Sequence, residues 1–250
     1  MQNLKDKIWI WGHPANSLKN TFGLTKDSFV TPVQGAAYLG ANNIFYVPMC
    51  RKVDRIACTQ EMQNATQVGW SIEKEQDIYD LIEMKKEFPN ITLAIFDDFF
   101  NPENTVTGWA NYSIEKLTQL RQTLHDAGIE MWVVLYTRLL ELDIAEYLKV
   151  FDGISYWYWH EIDETEFLAK MQWLFNNSPT QKRLVGCYLY DFGNSRPIQP
   201  ETVRYQLDRD LSYLQDGKID GIILHTNAIG DMGFDAYEEA KRWVSQHNCN

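Results

Sequence analysis

Thr92-Leu93-Ala94-Ile95-Phe96-Asp97-Asp98-Phe99-Phe100, near the middle of the chain, decides the reading of the fold. An apolar, β-prone run with no polar alternation reads as a strand buried on both faces, as in a parallel sheet. Two adjacent carboxylates stand at its C-terminal end, two phenylalanines follow, and Asn101-Pro102 breaks the run. Carboxylates at a strand end suit a β/α fold, whose strands open onto a common mouth. Successive side chains of a strand point to opposite faces, so one of Asp97 and Asp98 is expected to face that mouth while the other caps a helix or pairs with a loop.

The same pattern recurs on either side. Apolar runs at Ile8–Trp11, Ile44–Met49, Gln67–Ile72, Glu130–Tyr136, Gly153–Trp159, Leu184–Tyr190 and Gly221–Leu224 bring the strand candidates to eight, the third being the weakest pattern. Helical signals lie between them. Thr31 is placed to N-cap a helix over Pro32–Ala41 with Pro32 at its first position. Asp54–Gln63 reads as helical, and Glu75–Phe88 carries apolar Ile78, Leu81, Ile82 and Met84 and stops at Pro89. Ser113-Ile114-Glu115-Lys116 opens a helix that ends at Gly128. Ile144–Val150, Glu164–Phe175, a long amphipathic segment from Pro200 to Gly217, and Phe234–Ser245 complete the set. Units of roughly 30 residues are what βαβ repeats require, and eight of them fit an α/β chain of 250 residues folded as a (β/α)8 TIM barrel. A doubly wound open sheet is the alternative, but the Gly-rich phosphate turn that usually follows its first strand is missing. No linker-like shift in composition divides the chain, so residues 1–250 read as a single barrel domain.

Composition narrows the partners. Hydrophobic content of 45% with 23% charged residues fits a globular chain able to build a large core. A net charge of −11 disfavours nucleic acid and anionic membrane, and no run approaches the roughly 18 apolar residues of a membrane span. The expected partner is a small molecule or oligosaccharide. Cys50, Cys58, Cys187 and Cys249 form no C-x-x-C pair and no zinc-type Cys/His spacing, so free thiols, no metal and no cofactor are expected. Met1–Lys7 lacks the apolar segment of a signal peptide, which reads as cytoplasmic; a chain whose leader had been removed would read the same way.

The strand ends carry the chemistry. In order they present His13, Arg51, Trp70, Asp97 with Asp98, Tyr136, His160 with Glu161, Asp191, and His225 with Asn227; Trp157, Trp159 and Tyr188 lie just before their strand ends. Three of the five histidines fall at these ends. Acids, imidazoles and aromatic rings around one mouth suit a sugar: carboxylates bind hydroxyls and flat rings stack on the pyranose. A glycosidase needs two carboxyl groups, one to protonate the leaving oxygen and one as nucleophile or base. The preferred pair is Asp97 or Asp98 as nucleophile or base with Glu161 as acid, its pKa raised by Trp157 and Trp159; Asp191 substitutes if Glu161 points outward. Arg51 could clamp a substrate carboxylate or pair with an Asp. The loop Asn101–Tyr112, with Trp109 inside it, is a candidate lid. Two other classes compete: a metal-dependent hydrolase using His13, His225 and an Asp, and a barrel that binds glycan without turnover. The first lacks the paired His expected on strand one.

Ile95-Phe96-Asp97-Asp98-Phe99-Phe100, Val134-Leu135-Tyr136-Thr137, Ile154-Ser155-Tyr156-Trp157-Tyr158-Trp159, Gly186-Cys187-Tyr188-Leu189-Tyr190-Asp191-Phe192-Gly193-Asn194 and Gly217-Lys218-Ile219-Asp220-Gly221-Ile222-Ile223 resemble a family of largely uncharacterised bacterial proteins related to TIM-barrel glycoside hydrolases. The resemblance covers most of the chain, from strand four onward especially. It implies the barrel fold and carbohydrate hydrolysis, and brings no catalytic residue assignment with it. An Asp ending strand four and an acid ending strand six is also similar, by position alone, to α-galactosidase-like glycosidases.

Overall fold

The structure is a computed structural model that describes residues 3–101, 110–158 and 164–248. Strands β1 (Ile8–Gly12), β2 (Asn43–Tyr46), β3 (Gln67–Ile72), β4 (Ile91–Phe96), β5 (Glu130–Tyr136), β6 (Gly153–Trp157), β7 (Lys182–Tyr188) and β8 (Gly221–His225) pair in parallel, and β8 returns to β1 to close the barrel. The intervening helices are α1 (Pro32–Leu39), α2 (Arg55–Glu61), α3 (Glu75–Glu87), α4 (Ile114–Asp126), α5 (Ala145–Leu148), α6 (Glu164–Asn177), α7 (Pro200–Gln215) and α8 (Asp235–His247). This is the (β/α)8 barrel expected from the sequence.

Strand register sorts the side chains. Trp11 is level with Phe45 on β2 and with His225 on β8; Phe45 is level with Gly69, Gly69 with Leu93, and Tyr136 with Trp157. Rings on this parity meet inside the barrel: Trp9 stacks on Phe45 at 4.6 Å, and Trp11 packs edge-on to Trp157 at 5.3 Å between centroids. Bulky rings fit because glycines face them. A Cβ on Gly69 would lie 2.4 Å from the Phe45 ring, one on Gly153 2.2 Å from Trp132, and one on Gly186 1.9 Å from Trp157. The other parity points out toward the helices, where Tyr46 and Trp70 pack at 4.6 Å. Both faces are therefore apolar, which is why the strands show no alternation in sequence.

Helix ends follow their caps. Thr31 Oγ1 accepts from the Gln34 backbone N–H while the Gln34 side chain accepts from Thr31 N–H, a reciprocal box with Pro32 at the first helical position. Ser113 caps α4 through the Lys116 N–H. The strands depart from the expected ranges at their C-terminal ends. β4 stops at Phe96 because Asp98 takes a left-handed φ of 47°, which a pleated strand cannot hold. β2 stops at Tyr46, ahead of Pro48 and of Met49 and Cys50, whose φ values are 54° and 58°. β7 runs from Lys182 to Tyr188, two residues earlier than read, because Asp191 already pairs with Arg196 in a turn. Among the described residues no helix is long and apolar enough to cross a membrane.

Candidate functional site

The inward side chains at the C-terminal strand ends surround a cavity of about 520 Å³. Each arrives by period-two counting along its strand. On β4 the inward series Leu93, Ile95 continues to Asp97, which is partly buried in the cavity wall, whereas the Asp98 side chain is 77% exposed. Tyr136 and Trp157 close β5 and β6, Tyr188 and His225 close β7 and β8, and His13 follows β1; all five line the cavity.

Asp97 is the chemically distinctive group. Its Oδ1 accepts the Tyr136 hydroxyl at 3.2 Å and the Asp98 backbone N–H at 3.0 Å. Among the described residues Oδ2 carries no hydrogen bond, so it is the oxygen left to hold a proton. Burial, reinforced by the Asp98 charge, pushes the Asp97 carboxyl up to about 7, against the opposing pull of the two hydrogen bonds and Arg138. Arg138 lies over the Tyr136 ring at 4.3 Å and 3.7 Å from Asp98. Burial also holds the Tyr136 and Tyr188 phenols well above their usual range, so both stay protonated and able to donate.

The histidines are neutral. His13 Nδ1 lies 2.9 Å from the Val47 carbonyl, which can only accept, so the proton sits on Nδ1 and Nε2 presents a lone pair. Burial lowers His13 to about 4. His225 is pushed well below its usual range by burial and then by the neighbouring His13 imidazole, 5.3 Å away ring to ring. Its ring is also packed by Phe192 at 4.7 Å and Tyr188 at 5.0 Å. Trp157 is held by an indole N–H donated to Ser155 Oγ at 2.5 Å.

Other sequence candidates are placed elsewhere. Trp70 has the outward parity and lies under Arg55, 5.4 Å from guanidinium to ring, behind the barrel wall; Ser71 and Glu73 take the inward positions instead. Asn227 is fully buried and joins strand ends: its Oδ1 accepts from the His13 N–H at 2.8 Å and its Nδ2 donates to the His13 carbonyl at 2.9 Å and to Val30 at 2.6 Å. Asp191, 2% exposed, accepts from the Asn194 backbone and side chain at 3.0 and 2.7 Å and pairs with Arg196 at 3.1 Å, so its carboxylate organises a turn. Arg51 is exposed and donates to the Asn16 carbonyl at 2.9 Å. Trp159, His160 and Glu161 lie outside the described residues, as does 102–109 of the expected lid.

The sequence reading missed part of the wall. Glu73 was legible in principle, since Gly69, Ser71 and Glu73 share one parity; choosing the aromatic Trp70 selected the wrong face. Trp11 follows from Trp9 by the same rule. Leu18, Phe22 and Phe192 come from segments beyond β1 and β7 and carried no periodic signal. Phe22 and Phe192 meet edge-to-face at 5.4 Å, and the Tyr190 hydroxyl donates to the Phe22 carbonyl at 2.9 Å, which folds one segment against the other. Among the described residues no three His, Cys, Asp or Glu side chains gather as a metal-ligand set.

No protein-family model and no curated protein sequence matches the chain. Solved structures do. The α-subunit of tryptophan synthase from Pyrococcus furiosus superposes with a TM-score of 0.53 at 14% identity, covering 99% of each chain. An uncharacterized protein from Parabacteroides distasonis gives a TM-score of 0.56 at 10% identity over 97% of this chain and 99% of that one. The PgaB (BpsB) glycoside hydrolase domain from Bordetella bronchiseptica gives 0.53 at 10% identity over 85% and 91% of the two chains. At these identities the likeness establishes the shared barrel fold, and function has to be argued from the site.

Proposed function

We propose that this chain is a glycoside hydrolase in which Asp97 protonates the leaving glycosidic oxygen. What supports the reading is the placement of the Asp97 carboxyl, hydrogen-bonded by Tyr136 in a ring-lined cavity at the C-terminal mouth of the barrel, where burial and the Asp98 charge push it up to about 7. A general acid works best when its pKa lies near the working pH, and Asp97 meets that condition. Trp11, Trp157, Tyr136 and Tyr188 line the cavity with rings against which a pyranose can pack. The resemblance to a glycoside hydrolase domain in fold agrees with the reading without carrying it.

The roles are the reverse of those read from the sequence, where Asp97 or Asp98 was nucleophile or base. The second carboxylate comes from Glu73 or Asp98, which share the cavity, or from Glu161. It attacks the anomeric carbon or deprotonates water while Asp97 delivers its proton to the departing oxygen. The test is a broad glycan panel assayed with the unaltered protein and with Asp97→Asn. Turnover should fall roughly 10²–10⁴-fold in the variant, and turnover in the parent should decline above about pH 7 as Asp97 ionises. Equal rates in the two proteins would remove Asp97 from the reaction.

A further inference from the structure

The charged and polar lining of the cavity has a bias that a neutral sugar does not require. Its described lining residues include three carboxyl groups, those of Glu73, Asp97 and Asp98, of which Asp97 carries the proton in the glycosidase reading, and no Lys or Arg. Arg138, at the rim, is already turned to Asp98. The His13 imidazole adds an acceptor. His13 presents the Nε2 lone pair, because its Nδ1–H is spent on Val47. His225, only 8% exposed, has a buried Nδ1 without a partner among the described residues. The wall between them is aromatic, with Trp11, Trp157 and Tyr188.

From this complement of acceptors, carboxylates and ring faces, we propose that the cavity binds a glycan carrying free amino groups, held as ammonium. The inference rests on the glycosidase reading and names its substrate class. An ammonium has three donors and no acceptor, the complement of a site that offers carboxylates and the His13 Nε2 lone pair. Ring faces attract cations as well as stacking on the sugar. Both imidazoles are neutral and so do not oppose the charge. An N-acetylated sugar loses the cation, and a uronate brings a negative charge toward Glu73 and Asp98 with no Lys or Arg among the described lining residues to meet it. The net charge of −11 acts in the same direction at longer range.

The test is calorimetric titration of the whole protein, at about pH 6, with four probes: the chitosan, chitin and cellulose tetrasaccharides and tetragalacturonate. Chitosan tetrasaccharide is expected to bind at least ~10-fold more tightly than the other three, and added salt should erode that preference. The pair Glu73→Gln and Asp98→Asn should reduce it further; if that double variant does not fold, the salt dependence of the unaltered protein decides. Equal or tighter binding of chitin, cellulose or tetragalacturonate overturns the inference, as does binding of none. Hydrolysis of a neutral glycan that Asp97→Asn abolishes, with no chitosan preference, overturns this inference and leaves the glycosidase reading standing. Chitosan preference without turnover of any glycan has the opposite consequence.

Discussion

Asp97 and Tyr136, at the ends of neighbouring strands β4 and β5, are joined by a hydrogen bond of 3.2 Å from phenol to carboxylate. The bond favours the charged carboxylate, while burial and Asp98 favour the neutral acid, and the balance lies at about 7. Tyr136→Phe removes one of the contacts that lower the pKa. The alkaline limb of the pH–rate profile should therefore move upward, by up to about one pH unit for a hydrogen bond worth ~0.5–1.5 kcal/mol. A limb that stays in place while kcat falls would mean that Tyr136 acts on substrate rather than through Asp97.

Gly186 is expected to be intolerant of any side chain. A Cβ there would sit 1.9 Å from a Trp157 ring carbon, and that ring is pinned by Ser155 and packed against Trp11. Gly186→Ala should cost about 1–3 kcal/mol through overpacking. It should also displace the Trp157 ring, weakening glycan binding and changing tryptophan fluorescence. Chemical denaturation measures the first effect and titration the second; an unchanged midpoint would show that the ring relocates freely.

The barrel was legible because its signals are local and repeated. Thr31 with Pro32, Ser113, Pro200 and the apolar runs each announce an element over a few residues, and the alternation of strand and helix supplies the topology. Direction was harder. Every strand is apolar on both faces, so the sequence shows which residues share a parity but not which parity faces inward; the contact of Phe45 with Gly69 is what puts Glu73 inside and Trp70 outside. The same blindness left Asp97 and Asp98 undecided. Asp191 and Asn227 sit where functional groups sit, yet their polar atoms are engaged by Asn194, Arg196, His13 and Val30, partners that no spacing rule identifies.

The paired imidazoles set a pH dependence of stability. His13 falls to about 4 in the folded chain from an ordinary value near 6.5, so between these limits the unfolded chain binds more protons. Stability is therefore lost as pH falls through this window, by at most about 1.4 kcal/mol per pH unit for each such imidazole. His225 is depressed as well and acts with the same sign. His13→Asn should lower stability at pH 7, where the bond to Val47 is disturbed, and flatten the decline toward pH 4.5. Thermal melts of both proteins across that range provide the check, and parallel curves would contradict the neutral assignment of His13.

Asp97 acts with the opposite sign. Its pKa is raised from about 3.8 to about 7, so through that window the folded chain keeps a proton the unfolded chain has released. Its contribution to stability is therefore present below pH 4 and lost as pH rises, reaching its full penalty above 7. Asparagine fills the same space, still accepts from Tyr136 and the Asp98 N–H through its Oδ1, and never ionises. Asp97→Asn should thus be indistinguishable from the parent in melts at pH 4 and more stable at pH 8, by about 1–3 kcal/mol for a partly buried charge relieved of its desolvation. Gain of stability with loss of turnover is the pattern of a residue kept for chemistry at the expense of the fold. A variant less stable than the parent at pH 8 would show that the carboxylate is held favourably in its charged form, and would argue against Asp97 as the proton donor.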